Sequence, residues 1–219
     1  MSGYDQRMLT GFAVIVFSLV CSLIRFRDLN KDARILSILV ICTFGFEVFA
    51  ECSARVFKTN MIVYSVFNVV QFFLMSVYFN FSIDVFKERS IGIKIGIVGV
   101  LYGIVNYTLI ESPYRLESIY LMIEDVAIVA LSLYSFYRLL LIDDDIVLTR
   151  LPNFWFTAIV LFYWTSTFLI WGTFNYLINV SVLAQNILLT VLLVVNIITY
   201  LGMGLVFLLY KRMQLVNGG

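Results

Sequence analysis

Histidine is missing from this chain of 219 residues. That removes the imidazole on which zinc and iron sites, axial haem ligation and Ser–His hydrolysis depend. Haem and histidine-bound metals are therefore not expected as cofactors, and the placement of lysine speaks against retinal. Proline occurs only twice, so its helices should run with few breaks. Charged residues make up 13% of the chain, about half the share usual in soluble domains. The net charge is +1, so no strongly basic surface invites nucleic acid. Cys21, Cys42 and Cys52 all lie in apolar runs and read as small hydrophobes. On one helix Cys42 and Cys52 stand about 15 Å apart, too far to bridge, and no C-x-x-C spacing points to metal or redox work.

What the chain does have is apolar surface. Hydrophobic residues reach 62%, against roughly 45–50% in a soluble domain. A globule of this size has too little interior to hide that excess, so the solvent is lipid. A bilayer core asks for about 20 apolar residues per helix. Seven such runs are present, at about 8–24, 34–54, 60–83, 91–110, 117–140, 153–175 and 184–210. Charged or turn residues bound most of them; the boundary around Asn179 and Ser181 carries no charge. The runs are too long for barrel strands and do not alternate. The fold class expected is an all-α integral membrane protein, a seven-transmembrane-helix bundle forming one domain over 1–219.

Lysine and arginine set the orientation. Eleven of the 15 fall on one set of alternate boundaries and four on the other. This places the N-terminus outside and the C-terminus in the cytoplasm. The first positive cluster follows the first apolar run, so a cleaved signal peptide is not expected. The seventh span holds no lysine before Lys211, which excludes a retinal Schiff base there. No Gly-x-Gly-Asp accompanies Asp125, as a membrane aspartyl protease would need. The chain is read as a non-enzyme; paired carboxylates such as Glu47 and Glu124 are the remaining catalytic route.

Ionisable groups at membrane depth mark function by default. Glu47 and Glu51 share a face of the second span, being i and i+4. Tyr64, Asn68 and Gln71 form a stripe on the third, and Asn106 lies on the fourth. Tyr120 and Glu124 share a face of the fifth, with Asp125 turned about 100° away. The sixth span offers Trp164, Phe168, Trp171 and Asn175, and the seventh Gln185, Leu192, Asn196 and Tyr200. Most of these groups fall in the outer half of their spans. An outward-facing pocket is therefore expected, lined by Glu47, Glu51, Tyr64, Asn68, Gln71, Asn106, Tyr120, Glu124, Trp164 and Asn196. The plainer reading runs beside it. Glu51 can pair with Arg55, amides can join helices, and a Trp-Phe-Trp stripe can simply pack. No basic residue lies at the depth of Glu47 or Glu124, so each needs a hydrogen-bonding partner or must be neutral.

Other features read as structural. Gly92, Gly96, Gly99 and Gly103 give the fourth span a smooth face for close packing. Tyr4, Tyr114, Trp155 and Tyr210 sit where an interfacial aromatic belt is expected. The run Asp143 to Asp145 reads as a solvated loop able to cap the next helix. A shift of 56 residues aligns Tyr64, Phe67, Asn68, Ser76, Tyr78 and Phe81 with Tyr120, Ile123, Glu124, Ser132, Tyr134 and Tyr137; duplication and chance similarity among apolar residues both account for it.

Glu47, Tyr64 to Asn68, Tyr120 to Glu124, Phe154-Trp155 and Tyr163 resemble a pattern in short seven-span proteins of unknown function from Bacteroidota. Those carry an acid in the second span, Tyr-x3-acid or Tyr-x3-amide in the third and fifth, and Phe-Trp then Tyr in the sixth. The chain departs from it with Asn68 where an acid is expected. The resemblance implies a companion of membrane sensor kinases. The functional expectation is a receptor-like protein of a bacterial cytoplasmic membrane. It would bind a small or lipophilic ligand and signal to a membrane or cytoplasmic partner, with membrane lipid around it. A small proton- or cation-coupled carrier using Glu47 and Glu124 is the first alternative, and a non-catalytic structural subunit the second.

Overall fold

A computed structural model describes residues 3–111, 118–141, 147–177 and 182–217. Pro113, Tyr114, Asp143 to Asp145, Asn179 and Ser181 lie outside them, as do the side chains of Tyr4 and Asn175. The described residues form helices and turns without a strand: α1 (Gly3–Arg25), α2 (Lys31–Phe57), α3 (Met61–Ser82), α4 (Asp84–Arg89), α5 (Ile91–Val105), α6 (Ser118–Leu139), α7 (Pro152–Leu177) and α8 (Val182–Asn217). Seven stretches among the described residues are long and apolar enough to cross a membrane, one in each helix but α4, that of α5 running on to Ile110. Large apolar side chains such as Val98, Leu109 and Leu183 are exposed along these helices. In water that surface would be costly; against acyl chains it is matched. The chain is a multi-pass integral membrane protein.

The boundaries follow local chemistry. Lys58 takes a left-handed φ of 60° and ends α2. Ser90, at φ 51°, separates α4 from α5. Both sit where a tight reversal asks for a positive φ. At its far end α5 widens into a π turn over Asn106–Ile110, and the Glu111 N–H donates to the Asn106 carbonyl. Neither α4 nor the π turn is foreseen from the apolar runs, because both concern a few residues at a span's edge.

The chain divides into two compact units, 1–29 with 125–219, and 30–124, the division falling inside α6 between Glu124 and Asp125. In the first unit α8 packs against both α1 and α7. Gly204 of α8 lies against the Phe17 ring of α1, where a Cβ would collide. Phe156 of α7 meets Phe207 of α8 with ring centroids 5.0 Å apart, and Tyr210 at 6.4 Å. Tyr210 is thus not the interfacial belt residue its position suggests. It is buried, with its ring near Phe156 of α7. Trp155 does fit the belt: its exposed ring donates from Nε1 to the Thr149 carbonyl at 2.7 Å.

In the second unit α3 packs against α2 on one side and α5 on another. The glycine stripe permits the second contact. A Cβ at Gly99 would enter the Phe72 ring, and one at Gly92 would strike the α3 backbone at Ser76. Close approach of small residues is a main source of helix association in lipid. Asn80 completes the joint: its buried Oδ1 accepts the Gly92 N–H at 3.1 Å, satisfying a first-turn amide of α5.

Candidate functional site

The second unit holds most of the candidate residues. Glu47, half-buried on α2, accepts a hydrogen bond from the Tyr64 hydroxyl of α3 at 3.1 Å. Beside it the Phe46 and Phe67 rings meet at 5.1 Å. The acid at membrane depth therefore has a donor from the neighbouring helix. Glu51, one turn on, pairs with Arg55 at 2.7 Å, within its own helix. That is the plainer of its two readings. Asn68 and Gln71 are half-buried one and two turns along the Tyr64 stripe.

Asn106 is fully buried at the start of the π turn, and its Nδ2 donates to Glu111 Oε2 at 2.9 Å. The other Glu111 oxygen accepts the Ile119 N–H of α6 at 3.3 Å. One carboxylate thus ties the end of α5 to the beginning of α6. An acid at a helix N-terminus is favoured by the helix dipole. Asn106 holds the Glu111 side chain within its own segment, and Glu111, which sequence reading left among the boundary charges, is the residue that joins the two helices. Asn106 and Glu111 are five apart, a spacing without meaning on a regular α-helix. It becomes a neighbour relation only when the helix widens.

Beyond this tie the Tyr120 ring stacks on Tyr102 of α5, with centroids 6.0 Å apart and planes 13° from parallel, and lies 6.4 Å from Tyr107. Tyr120 and Glu124 line a groove of about 420 Å³, within the size range of small-molecule sites. Its other walls are Phe72 of α3, Ile123 of α6, and Ile91, Lys94, Ile95, Val98, Gly99 and Tyr102 of α5. The α5 positions recur three and four apart, so one face of that helix forms the floor. Val98 and Ile123 on the rim are 65% and 48% exposed. The groove therefore opens sideways through apolar residues. It runs from the tyrosine stack towards Lys94, away from the α5 end that carries Asn106.

Two candidates belong to the first unit. Trp164 is buried on α7 and packs edge-on to Tyr163 at 4.8 Å. Asn196 is half-buried on α8. Nearby in sequence, Asp125 is buried, and its Oδ1 accepts from the Thr167 hydroxyl of α7 at 3.1 Å. Asp125 thus anchors α6 to α7. Among the described residues no three His, Cys, Asp or Glu side chains are grouped as metal ligands.

Sequence reading picked Tyr120 and Glu124 but passed over Phe72, Lys94 and Tyr102. The signal for Lys94 and Tyr102 was present in their register with Gly99 and Ile95 on one α5 face. Comparison of the chain with protein-family models, with curated proteins and with solved structures finds no match.

Proposed function

We propose that the chain is a receptor-like seven-helix protein that binds a lipophilic ligand and passes its state to a partner protein. The observation that carries this reading is the groove of about 420 Å³ on which Tyr120 and Glu124 meet Phe72 and Tyr102. Aromatic and aliphatic walls, with the Lys94 ammonium at one end and the Glu124 carboxyl in the wall, are the chemistry of a pocket for a mainly apolar molecule with few polar groups. The sideways opening supports a ligand that arrives from the bilayer instead of from water. Glu47 and Tyr64 belong to the same unit and form a side-chain hydrogen bond between α2 and α3.

The orientation is part of the proposal. The Lys and Arg distribution puts the N-terminus outside and the Lys94 end of the groove at the cytoplasmic face. The membrane is a bacterial cytoplasmic one, and the partner is a membrane or cytoplasmic signalling protein, as the Bacteroidota resemblance implies.

The test substitutes Glu47→Gln and Glu124→Gln, singly and together, and measures ligand-dependent partner association in reconstituted bilayers. The reading expects Glu124→Gln to weaken binding at least several-fold. Unchanged binding and association in the double variant would overturn it. Solute accumulation in proteoliposomes driven by a pH gradient would instead support a carrier using the same two carboxylates.

A further inference from the structure

We infer that the α5 groove is a site for a single-chain anionic amphiphile, a long-chain fatty acid, with its carboxylate on Lys94 and its chain directed at the Tyr102–Tyr120 stack. This deepens the proposed receptor reading and rests on it.

Three observations converge. The first is length. From Ile91 to Tyr102 the α5 floor rises about 16 Å at about 1.5 Å per residue. The hydrocarbon core of a bilayer is about 30 Å thick, so the groove spans about one leaflet. A chain standing along the membrane normal, with its head at the interface, occupies just that depth. The second is the lining. Phe72, Ile91, Ile95, Val98, Tyr102 and Ile123 surround the groove with hydrocarbon and ring faces. Glu124 shows only 3% of its surface, so a passing chain meets mainly apolar wall.

The third observation is charge. Lys94 is the basic residue among the groove's walls, and it lies in the first turn of α5. The positive end of the helix dipole is there too, where an anion is favoured and a cation is not. No acidic residue occupies that first turn, and among the described residues no carboxylate lies within ion-pair distance of Lys94. A lysine at the interface can extend its ammonium to the headgroup level while its stem lies on apolar surface. The groove's open end thus has unmatched positive charge, and its body accepts an acyl chain.

The experiment uses the full chain in nanodiscs of phosphatidylcholine, which carry no net anionic lipid, and a palmitate bearing a photoreactive diazirine on its chain. Labelling should saturate and fall on peptides covering 91–102 and 119–124. Unlabelled palmitate should compete, and hexadecanol of the same chain length should not. Lys94→Gln should weaken the apparent affinity at least tenfold, and Lys94→Arg should restore it. Labelling that never saturates, spreads evenly over all seven spans, or persists unchanged in Lys94→Gln would overturn the assignment. Equal competition by hexadecanol would remove the role of charge, and equal competition by phosphatidylglycerol would give the groove to bulk anionic lipid; either result overturns it. If palmitate fails while Glu124→Gln still alters partner association, the ligand class is wrong and the receptor reading stands.

Discussion

The hydrogen bond from Tyr64 to Glu47 joins α2 to α3 through a group that hydrocarbon does not solvate. Membrane hydrogen bonds of this kind are worth about 0.6 kcal/mol on average and seldom beyond about 1.7 kcal/mol. A double-mutant cycle with Glu47→Leu and Tyr64→Phe, each of which removes one partner of the bond, followed by unfolding in mixed micelles, should return a coupling of about that size. A coupling near zero would mean that the two side chains do not meet in the bilayer. The repeat relation seen in sequence pairs Tyr64 with Tyr120, yet the two do different work. Tyr64 presents its hydroxyl to an acid, whereas Tyr120 presents its ring face to Tyr102. Residue type and spacing were readable from sequence; the partner was not, because it comes from another helix.

At the scale of the element, α5 depends on one stripe. The stretch Ile91–Ile110 is 17% buried, against 44% for Ile119–Leu139, and the buried residues of α5 are Gly92, Gly96 and Gly103, so its packing passes mainly through the glycine face. The four glycines showed in sequence that a smooth face exists, and the structure shows Phe72, Phe73 and Val69 of α3 lying on it. Gly99→Leu should drive a side chain into the Phe72 ring, and overpacking of this kind costs about 1–3 kcal/mol. Phe72→Ala should relieve part of that loss when combined with it. A thermal unfolding series of wild type, Gly99→Leu and the double variant checks this. No destabilisation in the single variant would show that α5 and α3 are not in close contact. Elements of this length were legible because their apolar runs exceed what any competing structure explains. The six-residue α4 and the π turn were not, since a short interfacial segment or one widened turn leaves no periodic trace.

For the whole molecule, the seven spans follow from composition and length alone, while the groove along α5 does not. Tyr120 and Glu124 stood out because polar groups at membrane depth are costly. Lys94 was hidden among ordinary boundary charges, and its meaning came only from the concave face beneath it. The functional account depends on threading: Lys58 and Lys87, which flank α3, must lie on opposite sides, with Lys87 and the Lys94 end of the groove in the cytoplasm. Both Lys58 and Lys87 are exposed. The direct measurement is labelling of Lys58→Cys and Lys87→Cys in intact cells with a membrane-impermeant maleimide, after Cys21, Cys42 and Cys52 are replaced by Ala. The account predicts labelling of Lys58→Cys in intact cells and of Lys87→Cys only after permeabilisation. Labelling of both from the same side, or the reverse pattern, would contradict it.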